Sequence, residues 1–283
     1  MEELRIIHTD LIKETIKKLF CDANYVLTDD MQEAIRQAET RETEVLGKKI
    51  LGDLLTNMDI AKEQLIPICQ DTGMAILFME IGQDVHITGD NLADAVNEGV
   101  REAYIEGYLR KSVVSDPLLR VNTNDNTPAI LHTSIVPGNQ ITIKAAPKGF
   151  GSENMSRLFM LKPADGIEGV KKAILSTVLE AGPNACPPFV IGVGIGGDFE
   201  KAAIMSKHAL TREVGSHSLL PHIAELEEEL LEAINRSGIG PAGLGGKTTA
   251  LAVNIETFAT HIAGLPVAVN MCCHVCRHRT AVI

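Results

Sequence analysis

Three cysteines stand far apart along the chain, and their types and surroundings suit them best for chemistry. Cys69 lies in the run PICQDTG, Cys186 precedes two prolines, and Cys273 is followed directly by a histidine. Thiolates are soft ligands, and three of them without a fourth suit an iron–sulfur cluster that leaves one iron open to a substrate. Such an iron works as a Lewis acid and not as an electron carrier. The three thiols therefore predict one metal centre.

A zinc site is the competing interpretation, because the stretch from Asn270 to His278 holds three thiols and two imidazoles. A structural zinc site takes paired Cys-x-x-Cys units. Cys273 and Cys276 form one such pair, and the sequence has no second pair. Iron–sulfur ligation by one cysteine from this stretch fits the distant Cys69 and Cys186 better.

A glycine pattern at Gly192–Gly197 satisfies G-x-G-x-x-G, and Glu213 lies at a plausible distance beyond it. It follows an apolar strand and precedes a helix, as a dinucleotide-binding turn would. No αβ half precedes it to complete such a sheet, and it lies directly behind Cys186 and its two prolines. Close packing through glycine is the simpler interpretation, and an NAD-binding oxidoreductase is the alternative function.

A second glycine run, Gly243–Thr249, is similar to a phosphate loop. The position five before Gly246 is Pro241, so the spacing of that motif fails. What remains is a glycine loop with backbone N–H groups and the Lys247 ammonium, which is suited to holding an anion.

Composition excludes several classes of protein. The 283 residues carry a net charge of −11 and no basic block, so nucleic acid is not an expected partner. No run reaches the roughly 18 apolar residues of a membrane span, and the acidic start is unlike a signal peptide. Six cysteines are too sparse for a disulfide scaffold. The sequence predicts a cytoplasmic protein.

Hydrophobic periodicity predicts alternating helices and strands. Helices are expected over 9–20, 29–57 (one or two), 91–110, 166–179, 199–210 and 221–235. Buried strands are expected over 74–81, 188–193, 249–255 and 267–271. The segments 129–136 and 140–146 flank Pro137-Gly138-Asn139 and predict an antiparallel hairpin.

These elements predict a mixed α/β (α+β) fold and not a doubly wound sheet. We expect a single large domain over residues 1–283, with a helical amino-terminal part over residues 1–60 and a mixed or antiparallel sheet. No internal repeat is visible in the sequence.

Five long runs carry a resemblance to a known family. They are PICQDTG, KGFGSEN, ACPPFVIGVGIGGDFEKA, GLGGKTTALAVNIET and LPVAVNMCCHVCRH. In this order they resemble the alpha subunit of two-subunit class I fumarate hydratases and L-tartrate dehydratases. The resemblance implies a [4Fe-4S] cluster held by Cys69, Cys186 and Cys273, the last chosen by the family's Cys-His order. Cys272 and Cys276 are then bystanders.

The resemblance also implies a reaction and a set of roles. The reaction is reversible hydration of fumarate to (S)-malate, with dehydration of L-tartrate to oxaloacetate as the alternative. Asp71 is the expected catalytic acid/base, and an Asx turn before Thr72 is its alternative role. The expected substrate contacts are Gln70, Arg110, Gly149, Gly151, Lys247 and His261.

Two of these contacts have simpler interpretations, because Arg110 could be a solvated charge at a helix end and His261 a buried core residue. The resemblance further implies a beta subunit that completes the active site, in an α2β2 assembly.

Overall fold

The protein has a mixed α/β fold, as the sequence predicts. A computed structural model describes residues 4–283. The helices are α1 (Thr9–Tyr25), α2 (Asp29–Arg41), α3 (Val45–Gln64), α4 (Leu92–Glu106), α5 (Phe150–Glu153), α6 (Gly166–Ala181), α7 (Phe199–Ala209) and α8 (Pro221–Asn235). The strands are β1 (Arg5–His8), β2 (Met74–Gly82), β3 (Val85–Thr88), β4 (Ile130–Val136), β5 (Ile141–Lys148), β6 (Arg157–Leu161), β7 (Phe189–Gly196), β8 (Ala250–Phe258), β9 (Leu265–Cys272) and β10 (Arg279–Val282).

The chain divides into two compact units. Unit 1 contains the residues up to Thr28, Met58–Phe150 and Arg277–Ile283, and unit 2 contains Asp29–Asn57 and Gly151–Cys276. The helices of the amino-terminal part thus contribute to both units, with α1 in unit 1 and α2 in unit 2. A single domain over residues 1–283 stays a prediction.

Unit 1 is built on a four-stranded sheet in the order β10-β5-β2-β4. Helix α1 buries Ile12, Ile16 and Phe20, whose spacing of four residues places them on one helix face. Together with Val100 of α4 and Leu77 of β2 they belong to one apolar core. The sequence pattern therefore determines which face of α1 turns inward.

The predicted hairpin is wrong, because β4 and β5 both exist but do not pair with each other. Strand β2 lies between them, parallel to β4 and antiparallel to β5. The end of β2 enters the turn: Gly82 N–H donates to Gln140 O at 2.8 Å and Gln83 N–H to Val136 O at 2.8 Å. A side chain at Gly82 would place its Cβ 2.4 Å from Gly138 O. A glycine outside the hairpin segment thus allows β2 to separate the two strands.

Unit 2 is built on a second four-stranded sheet, in the order β6-β9-β7-β8. Ile191 and Val193 of β7 face a core shared with α6 and α8. Gly192 and Gly194 face the opposite side, where an added Cβ would lie 2.0 Å from Ser206 O and 2.1 Å from Ala202 O of α7. Close packing through glycine is confirmed. Both glycines lie inside the strand and not in the turn after it, unlike those of a dinucleotide-binding motif.

Three strands of each sheet share one arrangement, although the sequence shows no repeat. In each, a central strand (β2 or β7) pairs in parallel with the next strand of the sheet in chain order and antiparallel with the one after that. The start of each central strand therefore lies beside the end of its antiparallel neighbour. Met74 is opposite Lys148 in unit 1, and Val190 is opposite Cys272 in unit 2. Segments that flank these pairs must meet within each unit.

Among the helices of residues 4–283, none combines the length and the apolar character needed to cross a bilayer. The cytoplasmic location stays a prediction.

Candidate active site

Cys69 lies in the segment that leads into β2. Its thiol is partly exposed, and its Sγ accepts the backbone N–H of Asp71 at 3.4 Å. The thiol is also 3.3 Å from Oε1 of Gln70, whose side chain is exposed. Cys69 therefore contacts both of the residues that follow it.

The carboxylate of Asp71 joins this segment to the end of β5. Its Oδ1 accepts Gly73 N–H at 3.0 Å, which is the Asx turn expected as an alternative. Its Oδ2 accepts Phe150 N–H at 2.9 Å. A side chain at Gly149 would place its Cβ 3.0 Å from Oδ2, so glycine allows this approach. Because a carboxylate has about four lone-pair positions, Asp71 keeps accepting capacity beyond these two bonds.

Thr72 holds Arg110 beside this segment. The Thr72 hydroxyl accepts Arg110 N–H at 2.9 Å and donates to Arg110 O at 3.1 Å. The Arg110 side chain is exposed. The buried Tyr104 hydroxyl bonds the carbonyls of Thr72 and Gly73, each at 2.9 Å. The structure thus connects the Arg110 backbone and Gly149 to the segment that contains Cys69, Gln70 and Asp71.

Arg277 is a residue that the sequence interpretation missed. It is 5% exposed, and its Nη2 donates a hydrogen bond to the backbone carbonyl of Asp71. Its Nε and Nη1 have no hydrogen-bond partner within residues 4–283. The sequence offers little signal for this contact, because 206 positions separate Arg277 from Asp71.

In unit 2, the strand pairing brings Cys186 beside the residues that follow β9. Cys186 is exposed and has a left-handed backbone with φ of 55°. His274 N–H donates to Cys186 O at 3.3 Å, and His274 Nδ1 lies 3.1 Å from the same oxygen. Cys273, directly before His274, is partly exposed. Two of the three predicted ligand segments are therefore in contact within this unit.

The remaining cysteines of the carboxyl-terminal stretch point elsewhere. Cys272 is buried in β9, and Cys276 is buried with its Sγ 3.4 Å from Leu210 O. Residues 4–283 contain no group of three or more His, Cys, Asp or Glu arranged to hold a metal ion. Exposure thus distinguishes Cys273 from its two neighbours.

The glycine loop of unit 2 holds an anion, and that anion is the buried carboxylate of Glu42. Glu42 Oε2 accepts Lys247 N–H at 2.8 Å, and Oε1 accepts Thr43 N–H at 2.9 Å and Glu44 N–H at 3.1 Å. Burial alone would raise the pKa of Glu42, but bonds from these backbone N–H groups and that of Thr248 lower it overall. The backbone N–H of Lys247 therefore already donates a hydrogen bond to a carboxylate of the chain itself.

The loop and the residue before it also contact the residues on both sides of Cys186. Ala242 N–H donates to Pro187 O at 2.9 Å. A side chain at Gly243 would place its Cβ 2.4 Å from Cβ of Pro183, so glycine permits this close approach. Glu42, the loop and the Cys186 segment therefore form one connected structure.

The three remaining predicted substrate contacts are Lys247, Gly151 and His261. The Lys247 side chain is exposed, and Gly151 is exposed in α5. His261 is exposed in the turn between β8 and β9, where its Nδ1 accepts Ala263 N–H at 3.2 Å. It is therefore not a core residue. His261 precedes β9 and Cys273 follows it, so these two residues lie at opposite ends of a strand that is roughly 26 Å long at about 3.3 Å per residue.

Comparison with known proteins shows one family model that matches the chain and several similar proteins. The fumarate hydratase (Fumerase) family model matches residues 13–282. A Methanocaldococcus jannaschii protein, provisionally named L(+)-tartrate dehydratase subunit alpha, is 42% identical over 93% of this chain and 94% of its own length. The L(+)-tartrate dehydratase subunit alpha of Escherichia coli O157:H7 is 34% identical over 91% of this chain and 86% of its own length. A Shigella boydii protein of the same name gives the same values.

Glu42→Gln should destabilise the protein, because an amide cannot accept bonds from all of these N–H groups. We expect the free energy of unfolding at pH 7 to fall by about 1.5–3 kcal/mol. The folded-state pKa of Glu42 is lowered, so its contribution is full above the carboxyl's ordinary value of 4.5 and is lost as pH falls towards the folded-state value. The stability difference between wild type and variant should therefore shrink in acid.

Urea unfolding between pH 7 and pH 3 measures this difference. Glu39→Gln is the matched control, because Glu39 lies on the same helix and makes only a 3.7 Å ion pair with Lys48. A Glu42→Gln effect no larger than the control, or equal at all pH values, would contradict the assignment.

Proposed function

Because the chain belongs to the fumarate hydratase family, we propose that it is the alpha subunit of an iron–sulfur enzyme that hydrates fumarate reversibly to (S)-malate. Family membership makes the chain a hydro-lyase. The observation that carries the proposal is the family match, which spans residues 13–282 and thus every predicted ligand and the predicted acid/base.

We propose Cys69, Cys186 and Cys273 as ligands of a [4Fe-4S] cluster. The donor chemistry fits, since Cys69 Sγ accepts an N–H bond and all three thiols are partly or fully exposed. Cys272 and Cys276 are buried and fit less well. When bound, such a cluster supplies an open iron that acts as a Lewis acid towards the substrate's hydroxyl and carboxylate.

Asp71 is the proposed acid/base. The proton beside a carboxylate is very weakly acidic, and its removal accumulates negative charge on that carboxylate. Asp71 would move this proton, held in place by its bonds from Gly73 and Phe150. The exposed Arg110 guanidinium suits a substrate carboxylate, because its planar fork can form two parallel bonds. Gln70 and the Gly149 amide would bind the rest of the substrate.

Gly151, Lys247 and His261 are proposed as substrate contacts on the resemblance alone. The relatives are named as alpha subunits, which supports a beta subunit as partner. We propose an α2β2 assembly in which the beta subunit completes the active site.

Dehydration of L-tartrate to oxaloacetate is the second candidate function. The names of the relatives favour it, since they are L(+)-tartrate dehydratase alpha subunits. Both reactions break or form a C–O bond beside a carboxylate. Tartrate differs from malate by carrying a second hydroxyl group. Groups that bind this hydroxyl would decide between the two substrates.

Anaerobic coexpression with the product of the adjacent reading frame tests the substrate. We expect kcat/KM for fumarate to exceed that for L-tartrate by at least about tenfold. D-tartrate is the stereochemical control. The reverse preference would establish the tartrate reaction. A complex that binds iron and sulfide but converts neither fumarate nor either tartrate would contradict both proposed substrates.

Replacing single cysteines by serine tests the cofactor. Cys69→Ser, Cys186→Ser and Cys273→Ser should each lose most of the roughly four irons per chain expected for a cubane. Cys272→Ser and Cys276→Ser are matched controls from the same stretch as Cys273 and should keep them. Iron and sulfide analysis after anaerobic reconstitution gives the answer, and equal losses in ligand and control variants would overturn the ligand set.

Asp71→Asn should keep the cluster but lose activity, because an amide cannot transfer the proton. The expected fall in kcat is about 100- to 10,000-fold. Asp116→Asn is the matched control, since Asp116 also accepts two backbone N–H bonds, from Leu118 and Leu119, but lies on an exposed turn. Steady-state kinetics with fumarate, at equal iron content, checks this. Activity of Asp71→Asn equal to that of the control would remove Asp71 from the reaction.

A further inference from the structure

Arg277 of unit 1 is a buried cation whose side-chain N–H groups are mostly without hydrogen-bond acceptors within residues 4–283. Its side chain is 5% exposed, and Nη2 is the group with a hydrogen-bond partner, the carbonyl oxygen of Asp71. The Nε and Nη1 atoms together carry three N–H bonds, and none finds an acceptor within residues 4–283.

A buried guanidinium with unpaired N–H groups is costly. Arginine does not lose its proton in proteins, so it cannot escape the cost by becoming neutral. Each buried donor without an acceptor destabilises the folded protein, and a buried charge does so more strongly. A bound anion with acceptor atoms removes this cost.

Within residues 4–283, Arg277 makes no hydrogen bond to the carboxylate of Asp71. The two oxygens of this carboxylate accept the N–H groups of Gly73 and Phe150, and Arg277 bonds the backbone oxygen instead. The nearby Tyr104 hydroxyl bonds the carbonyls of Thr72 and Gly73, and burial raises the pKa of its phenol, so it is neutral at physiological pH. Within residues 4–283, the Arg277 guanidinium therefore bonds a carbonyl oxygen and no carboxylate.

We propose that Arg277 is a buried anion-binding residue at the Cys69–Asp71 segment. Nη2 fixes the guanidinium to Asp71, and Nε and Nη1 donate to the bound anion. This inference rests on the proposed function, which supplies two anions of suitable chemistry at this segment. One is a carboxylate of the dicarboxylate substrate, and the other is the anionic sulfur of the cluster.

Arg279 provides the matched control. It is only two residues away and partly exposed, and its Nη2 donates to the carbonyls of Val26 at 2.9 Å and Leu27 at 3.4 Å. Its bonds resemble the one from Arg277 to Asp71, but its side-chain nitrogens are not buried without partners. A purely structural role of Arg277 would change the melting temperature but not its dependence on an added anion.

The experiment compares the full chain with Arg277→Gln, Arg277→Lys and Arg279→Gln. Thermal unfolding of cluster-free protein is measured with sodium sulfate, with (S)-malate, and with sodium chloride at equal ionic strength. Iron retention is then followed after anaerobic reconstitution. Arg277→Lys keeps the charge and serves if the glutamine variant does not fold.

If the anion is a carboxylate, the sulfate- or malate-dependent rise in melting temperature should be lost in Arg277→Gln, with a Kd raised about tenfold or more. If the anion is the sulfur of the cluster, Arg277→Gln should lose iron about tenfold faster than the wild type, while its binding of malate stays unchanged. Arg277 variants that match Arg279→Gln in both measurements would overturn the inference. A wild-type chain that takes up no cluster would instead contradict the proposed function, while the sulfate measurement still decides the role of Arg277.

Discussion

The pairing of each central strand with its antiparallel neighbour is the constraint on which the candidate site depends. Met74 opposite Lys148 places the segment before β2 beside the segment after β5. Val190 opposite Cys272 does the same for β7 and β9. Chemistry-bearing residues occupy these flanking segments in both units. Asp71 meets Gly149 in unit 1, and Cys186 meets the Cys273–His274 segment in unit 2. The same arrangement of three strands thus positions different side chains in the two units.

Backbone N–H groups and buried charges stabilise the segments that the strands bring together. The carboxylate of Asp71 joins two segments of unit 1, and that of Glu42 fixes the glycine loop of unit 2. In each case a glycine lets the carboxylate approach the backbone, at Gly149 and at Gly246. Charge-assisted bonds of this kind are stronger than neutral ones. Arg277 is a buried cation that also bonds the backbone, at Asp71 O. It differs from the two acids because its Nε and Nη1 groups have no acceptor within residues 4–283.

Local signals in the sequence predicted most elements, and non-local contacts account for what was missed. Helix α8 begins and ends where the periodicity placed it, at Pro221 and Asn235. Strands β4 and β5 were predicted from the sequence, but they do not pair with each other, because β2 lies between them and its Gly82 packs against their turn. The glycine loop was expected to hold an anion, and its Lys247 N–H bonds the carboxylate of Glu42, which lies 205 positions earlier and was not predicted. Arg277 was missed for the same reason, because burial is a property of the folded chain. The roles of the site residues stay predictions.

Mössbauer spectroscopy of the anaerobically reconstituted chain, with its beta subunit and with or without (S)-malate, addresses the proposed cluster most directly. Three thiolate ligands leave one iron without a protein ligand, so one of about four irons should change its signal when the dicarboxylate binds, while the others stay the same. A spectrum in which all irons respond alike, or none responds although malate is bound, would contradict an open iron as the catalytic Lewis acid.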